Sequence, residues 1–557
     1  MKNYYCLLFL LVYSLGNAQV ETIFTRAAQY GHFNGVVIVQ DSAQRQYEIC
    51  KGDARPGIPI TTDTPFDIGS LTKQFTAAAI LQLVVDGKVD LHTPVNQYLG
   101  DLASKRWRKV TLHHLLTHTS GIPSLYQTEQ GLDVFFPEAG PITRATLVNR
   151  FRFAKLQFSP GEEFAYSNSG YILLAVVVEE MSGLSFGDFL NQKIFQPYGL
   201  TSTSWGAASG AALPYYGFRV DLQRAAPIHH PSWMVGAGGV YASAEDLARW
   251  IEVIQSDTFL NGTLRDEYLR SHTRAGASAT YAYGWQRSTE GYVEHDGINT
   301  GFAAFVSFDP TTRQQVIILT NRGFESIHLY GNSADKIREW ATSIWADLNG
   351  EPAEMLPAKV DRALAHGAFV LPDGDTLHLT PVDTVIRLTI KNRYPSRIVT
   401  NTPLSETTEM GEKMSKLCKL LQRGKYWKVG KYCDGEMKLV TYTGLLSVGV
   451  NMMKKRVGDL EEIIPYFVNE AYGLARMNGS EGVQDIIFYF DEEGRVQGMF
   501  EYEFYLPEKQ VEMYAYPVKN GFYLDGFPDG EDALEFSWKN DSLYFQQHGR
   551  TVVLTKR

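Results

Sequence analysis

The apolar positions change period along the chain, and each change marks an element. Val36-Val37-Ile38-Val39 is a continuous apolar run within residues 33–40, and after Asp41-Ser42 a second short run covers Gln46 to Lys51, which predicts two strands joined by a turn. A short helix is expected before them, over residues 20–30. From Ser70 onward the spacing becomes helical: Ile80, Leu81, Val84 and Val85 form a stripe that stops at Asp86-Gly87. Residues 111–124 end a further helix in a turn containing Gly121 and Pro123. The turn-rich segment 158–171 leads into the very apolar helix Ile172 to Met181, closed by Gly183. In residues 235–250 a glycine-rich turn feeds a helix whose N-cap is Ser243, with Glu245 and Asp246 in the first turn, where the helix dipole favours negative charge. Paired strands return at 293–308 and continue at Gln315 to Thr320.

Residues 347–360, with Gly350, Pro352 and Pro357, read as a linker. Strands are expected after it at Ala368 to Leu371 and Thr376 to Thr380, joined by Pro372-Asp373-Gly374, and at Val385 to Ile390. Met410, Met414, Leu417 and Leu421 mark an amphipathic helix, so a helical segment of about 405–470 interrupts the strands. Strands resume from Asp485: Phe500, Tyr502, Phe504 and Leu506 alternate with Glu501, Glu503 and Tyr505, and the last runs are Leu534 to Trp538, Ser542 to Gln546 and Thr551 to Thr555. Aromatics are dense there, and strand packing explains them better than a sugar-binding platform. The fold class is α+β: residues 19–346 as one domain, 361–557 as a β-rich accessory region.

At 557 residues the length agrees with two or three domains, and 44% hydrophobic with 20% charged residues is a globular composition. A net charge of -10 argues against a nucleic-acid partner, and the one basic run, Lys454-Lys455-Arg456, suits a solvated helix face. Lys2, the apolar Cys6 to Val12 and the small residues Gly16-Asn17-Ala18 read as a signal peptide, residues 1–18, cut after Ala18, which implies a periplasmic or secreted protein. No later stretch approaches the roughly 18 apolar residues of a membrane span. Cys50, Cys418 and Cys433 have no metal-site spacing, and Cys418 and Cys433 are expected as buried thiols, with a bridge between them the alternative. No cofactor or metal is expected, and nothing in the sequence fixes an oligomeric state.

The chemistry gathers in three places. Ser70 and Lys73 lie three residues apart at a helix start, where Cβ atoms are about 5–6 Å apart and an amine can reach the hydroxyl. Tyr166 and Asn168 alternate in the loop before the apolar helix, which points both side chains at one cavity if the loop is extended. His295 and Gly297 sit on a late strand, where glycine lets a substrate backbone lie close. Ser-x-x-Lys recurs at Ser333 to Lys336 and Tyr-x-Asn at Tyr330 to Asn332, but within one expected helix, so that pair cannot surround a cavity. His113, His114 and His118 invite a metal reading, yet no acidic residue accompanies them and capping or packing is the expectation. The glycines at 236, 238 and 239 lack a following Lys-Ser or Lys-Thr, so they read as close backbone packing and not as a phosphate cradle.

With Gly69-Ser70-Leu71-Thr72-Lys73, Leu115-Leu116-Thr117-His118-Thr119-Ser120-Gly121, Pro160-Gly161, Tyr166-Ser167-Asn168, Gly238-Gly239, Asp246-Leu247 and His295-Asp296-Gly297 in this order, the chain resembles the class C β-lactamase-related serine hydrolases of the serine β-lactamase and penicillin-binding-protein superfamily. The resemblance covers roughly residues 20 to 345. It implies an antiparallel sheet flanked by helices with a helical subdomain. It implies that Ser70 forms an acyl-enzyme, that Lys73 and Tyr166 act as general base and pass the proton on, and that Tyr166 activates the hydrolytic water. Asn168 would orient the substrate and Lys73, His295 and Gly297 would line the substrate strand, and the N–H groups of Ser70 and Ile298 would hold the oxyanion. Class C enzymes carry Lys-Thr-Gly where this chain has His295-Asp296-Gly297. Histidine, largely neutral near pH 7, binds a carboxylate less well than lysine. The expected substrate is therefore a small molecule or peptide carrying a peptide, amide or ester bond, with a peptidase or D-amino-acid-directed hydrolase favoured over an efficient β-lactamase; the alternatives are a small-ester hydrolase or a non-catalytic penicillin-binding or regulatory protein of the same fold.

Overall fold

A computed structural model describes residues 20–556 other than 22–23, 26–27, 29–32, 44–45, 126–139, 207, 217–223, 226–229, 277–278, 324–329, 350–366, 371–375, 383–384, 392–408, 434–436, 439–444, 469–471, 481–482, 492–494, 506–509, 519–520, 525–534, 540–541 and 548–549. The expected signal peptide and most of the linker lie outside the described residues, as does part of the 20–30 helix. The chain divides into two units, the first formed by residues 1–325 and 330–355, the second by the remainder.

In the first unit, the two expected N-terminal strands form at Gly35–Gln40 and Gln46–Lys51, and the former also pairs antiparallel with Gln315–Thr320. That pairing completes an eight-stranded sheet in the order Thr273–Arg274, Ala279–Tyr281, Gln286–Ser288, Val293–Asn299, Phe302–Phe308, Gln315–Thr320, Gly35–Gln40, Gln46–Lys51. The unbroken Val36-Val37-Ile38-Val39 run has a direct cause: both faces of this strand are covered. Val36 and Ile38 join the core that holds Phe66, Leu71 and Phe75, whereas Val37 and Val39 pack with Ile337, Trp340 and Ile344 of the terminal helix Tyr330–Leu348. The second Ser-x-x-Lys, at Ser333 and Lys336, falls inside that helix, as its spacing implied.

The Ser70 helix starts with a 3-10 turn at Gly69–Leu71, continues as Thr72–Val85 and ends at Asp86. It is enclosed nearly all round. Burying Phe75, Ile80, Leu81 and Leu83 contributes about 1.5–3 kcal/mol each, and these side chains are essentially inaccessible to water. That total is large enough to offset the desolvation of Lys73 in the same helix. The apolar helix begins four residues before its expected start, at Asn168, because Ser167 caps it by accepting the Gly170 N–H, and Gly183 closes it in the left-handed region, at φ 75.

In the second unit, strands Gly367–Val370, Thr376–Val382, Val385–Lys391, Gln510–Val518, Gly521–Leu524, Glu535–Lys539, Ser542–Gln547 and Arg550–Lys556 close into an eight-stranded barrel. Between its third and fourth strands the chain inserts helices Glu409–Gln422 and Leu445–Val457 and a four-stranded antiparallel sheet. The stripe Met414, Leu417 and Leu421 packs in the core of this insertion, with Met410 beside it. Its helical part is shorter than expected. Strands resume at Leu460–Val468 and Tyr472–Gly479, well before Asp485. Pro465 hides the first of these from a sequence reading, and the register shift between Pro465 and Phe467 is how the sheet accommodates it. Cys50, Cys418 and Cys433 are free thiols, the latter two buried. The aromatic side chains of the last strands lie outside what the structure describes.

Candidate active site

Ser70 is presented by a tight glycine turn. Gly69 holds φ +50, and Asp67 accepts its N–H at 2.9 Å, which turns the chain from the short strand Phe66–Asp67 into the helix. One turn on, Lys73 Nζ lies 2.9 Å from Ser70 Oγ and donates to the Ala237 carbonyl at 2.9 Å. The glycine-rich turn that supplies this carbonyl is packed backbone to backbone, since a Cβ on Gly236 would stand 2.4 Å from the Tyr171 carbonyl oxygen. The helix itself fixes the turn: Thr76 Oγ1 donates to the Gly236 carbonyl at 2.7 Å, and Thr72 Oγ1 accepts the Val240 N–H at 3.1 Å. Lys73 is fully enclosed, with the rings of Tyr166 and Tyr171 at 4.9 and 5.7 Å. Burial pushes its amine well below the ordinary lysine value, and Asp296 opposes only part of that shift.

Tyr166 reaches the same serine. Loss of water raises its phenol, and a hydrogen bond with Ser70 partly opposes the rise. Two groups at one hydroxyl are therefore pushed in opposite senses: the amine toward its neutral, basic form, the phenol toward its protonated form. Behind Tyr166 stands His118, with ring centroids 4.3 Å apart. His118 Nδ1 accepts the Ser167 N–H at 3.0 Å, and burial holds the imidazole well below its usual value, so it is neutral. Its backbone is left-handed, at φ 57, which is uncommon for a residue with a side chain.

The third element is strand Val293–Asn299. A Cβ on Gly297 would lie 1.9 Å from the Ile68 carbonyl oxygen and 3.0 Å from Ser70 N, and one on Gly69 would lie 2.7 Å from Ile298 N. Only glycine at both positions lets the two backbones meet, which sets the Gly297–Ile298 backbone directly against the Gly69–Ser70 turn. His295 is buried, and both its nitrogens are engaged. Nδ1 donates to the Asp296 carbonyl at 2.5 Å, and Nε2 accepts the Tyr281 hydroxyl at 3.1 Å. Burial lowers its pKa to about 4, so the ring is neutral at ordinary pH.

Ser70, Lys73, Tyr166, His295, Gly297 and Ile298 thus come together as the sequence implied. Asn168 arrives on the first residue of its helix and not in an extended loop, and Lys73 takes the Ala237 carbonyl as its second partner in place of Asn168. The three histidines take different partners. His114 caps its own helix by accepting the Thr111 N–H at 3.2 Å, His113 pairs with the Tyr283 hydroxyl at 2.7 Å, and His118 packs in the site. Ala237, Tyr281, Asp67 and Asn299 were not legible. A backbone carbonyl carries no side-chain signature, and the others are ordinary residues until tertiary contacts set their partners.

The chain is similar to known proteins in sequence and in fold. The Beta-lactamase family model matches residues 20–335. Penicillin-binding protein 4* of Bacillus subtilis (strain 168) is 26% identical over 421 residues, spanning 70% of this chain and 90% of that protein. Protein flp of Staphylococcus aureus (strain COL) is 26% identical over 324 residues, 56% of this chain and 64% of that protein. Among solved structures, the D-amino acid amidase from Ochrobactrum anthropi SV3 complexed with L-phenylalanine amide superposes with a TM-score of 0.53 at 21% identity, over 60% of this chain and 99% of that one. The octameric penicillin-binding protein homologue from Pyrococcus abyssi gives 0.52 at 19% identity, over 89% of this chain and 99% of that one. These structures share the fold. With its matched segment carrying the whole of the Ser70 site, the chain belongs to the Beta-lactamase family.

Proposed function

We propose that this serine hydrolase forms an acyl-enzyme on Ser70 with a neutral amide, peptide or ester, and that it acts outside the cytoplasm after cleavage of residues 1–18. The carrying observation is the buried Lys73 amine 2.9 Å from Ser70 Oγ, pushed toward its neutral form. A neutral amine donates one hydrogen to the Ala237 carbonyl and turns its lone pair to the Ser70 hydroxyl. As the Oγ–C bond forms, the proton passes to Lys73 Nζ. Tyr166, protonated at rest, gives its proton to the leaving nitrogen or oxygen as that bond breaks and is recharged from Lys73. The Ser70 and Ile298 N–H groups receive the developing oxyanion. Water then attacks the acyl carbon: Tyr166 takes its proton as the phenol's own passes to the neutral Lys73 amine, and that proton returns to Ser70 Oγ as the acyl bond breaks. Asn168 orients the substrate amide.

The substrate class follows from His295. A ring that spends both nitrogens on Asp296 and Tyr281 brings no positive charge to a substrate carboxylate. D-amino-acid amides and peptides or small esters fit such a site better than a β-lactam, whose carboxylate needs a cation. Of the named relatives, the D-amino acid amidase is named for an amide substrate, whereas penicillin-binding protein 4* is named for penicillin.

The test is intact-mass measurement after exposure of wild type and Ser70→Ala to a fluorophosphonate and to a labelled penicillin. The expected result is a fluorophosphonate adduct on wild type, none on Ser70→Ala, and weak or absent penicillin labelling. A persistent penicillin adduct would indicate a penicillin-binding site of the peptidase kind, and its rapid loss a lactamase. Labelling with neither probe would mean that the fold is kept for binding without turnover.

A further inference from the structure

The oxyanion hole is built from two chain segments that are far apart in sequence, and one buried carboxylate ties them together. Asp67 ends the strand that precedes Ser70 and is almost wholly enclosed, 5% exposed. Its Oδ1 accepts the Gly69 N–H at 2.9 Å, on the serine side of the hole. Its Oδ2 accepts Asn299 Nδ2 at 2.6 Å, and Asn299 follows Ile298 directly, on the strand side. The other end of that amide is also spoken for, since Asn299 Oδ1 accepts the Thr300 N–H at 2.9 Å. The orientation of the amide is therefore fixed, and the carboxylate must receive a hydrogen on each oxygen. The strand pairing Asp67↔Tyr241 anchors the clasp from a third side, and Tyr241 is the titratable neighbour that feels its charge.

Resting on the acyl-enzyme reading above, we propose that Asp67 and Asn299 are positioning residues for the oxyanion hole, holding the Ser70 and Ile298 N–H groups at the separation that an oxyanion needs. Neither residue touches the substrate. They act through backbone, where the tolerance is small: the Gly69 and Gly297 backbones already approach so closely that a methyl on either would collide. Burial raises the Asp67 carboxyl to about 6, with its two hydrogen bonds opposing. Below that pH the protonated acid presents a hydrogen to a donor, and the clasp loses one arm. Among the described residues Tyr241 is the titratable group that feels its charge, and burial holds it protonated.

The experiment measures acylation burst rates for a nitrophenyl ester and for the matching thionoester, whose sulfur uses an oxyanion hole poorly. The variants are Asp67→Asn, Asn299→Asp, Asn299→Ala and the exchanged pair Asp67→Asn/Asn299→Asp. Each single charge variant places donor against donor or carboxylate against carboxylate. The exchanged pair restores complementarity, because Asn at 67 can accept from Gly69 and donate to Asp at 299, which still accepts from Thr300. Removing the alignment of one oxyanion donor costs about 10²–10³-fold in acylation, so the single charge variants should lose at least tenfold on the ester and much less on the thionoester. Asn299→Ala, which buries no new charge, should lose about tenfold on the ester, and the exchanged pair should recover to within a few-fold of wild type. The acid limb of wild type near pH 6 should move in the exchanged pair, whereas a limb set by Lys73 would stay. Equal losses on ester and thionoester, a wild-type ratio in Asn299→Ala, or an exchanged pair no better than its parents would overturn the proposal. Failure of wild type to acylate with either ester would instead overturn the acyl-enzyme reading, so the two are told apart.

Discussion

The two faces of strand Val293–Asn299 differ by one residue in sequence and by most of their chemistry. On one face His295 and Gly297 lie against the Ser70 turn, the imidazole neutral and both its nitrogens engaged. On the other, Glu294 and Asp296 meet Arg338 of the terminal helix: Nη1 bonds Glu294 at 2.6 Å, and Nη2 bonds Asp296 and, at 2.9 Å, Gln286. Burial pushes the Asp296 carboxyl up, but Arg338 and His295 outweigh it and leave the group below the usual carboxylate range. The two-residue period of a strand therefore sorts charge from catalysis. The full ions lie on the other side, where Arg338 holds both carboxylates. The Ser70 side sets a neutral imidazole near an amine that burial pushes toward its uncharged form. The partition is not total, because Asp296 still acts on Lys73 through the strand and holds back part of its shift.

If the reacting face depends on a neutral base, removing it should have the largest effect. Lys73→Met is expected to lower ester acylation by about 10²–10⁴-fold, read as a burst rate with the denaturation midpoint as a control. A loss below tenfold would place the base elsewhere. Gly297→Ala comes next. Its new Cβ must push the strand off the Ile68 carbonyl, and the expected cost is about 10²–10³-fold in kcat from the misplaced Ile298 N–H. On the opposite face Arg338→Met leaves two carboxylates unpaired in a partly buried place, and we expect about 3 kcal/mol of stability to be lost in a urea titration. Acylation by the protein that remains folded should change by less than tenfold. A large catalytic loss with unchanged stability would erase the distinction between the faces.

The smallest effect is a pH dependence. His295 is lowered from 6.5 to about 4, so between those values the unfolded chain binds a proton that the folded chain refuses. Its contribution is in full force above about pH 6.5 and is lost as the pH falls toward 4. His295→Gln should flatten that part of the stability curve relative to wild type. An unchanged slope would mean that the folded ring titrates normally and is not a neutral wall.

Much of this site was legible because its parts announce themselves locally. Ser70 and Lys73 share a helix face, Gly297 relieves a strand, and the order of the segments rejects the copy at Ser333. What stayed hidden depends on contacts between segments remote in sequence. The Ala237 carbonyl is chosen by two threonines of the Ser70 helix, Asp67 and Asn299 meet across more than two hundred positions, and Arg338 belongs to a helix whose role as a lid over the sheet follows from tertiary packing. The barrel of the second unit was half legible for the same reason. Its strands alternate locally, whereas its closure comes from the pairing of Phe369 with Lys556 and of Val370 with Thr555.

The neutrality of the reacting face is tested most directly by charge preference. The ratio of kcat/KM for two nitrophenyl esters, one with an acetyl group and one with a succinyl group bearing a free carboxylate, should be measured for wild type and for His295→Lys. The account predicts that wild type favours the neutral ester by at least about tenfold, a difference of roughly 1.4 kcal/mol, and that His295→Lys narrows or reverses the preference. A wild-type preference for the carboxylate-bearing ester, unchanged by His295→Lys, would contradict it.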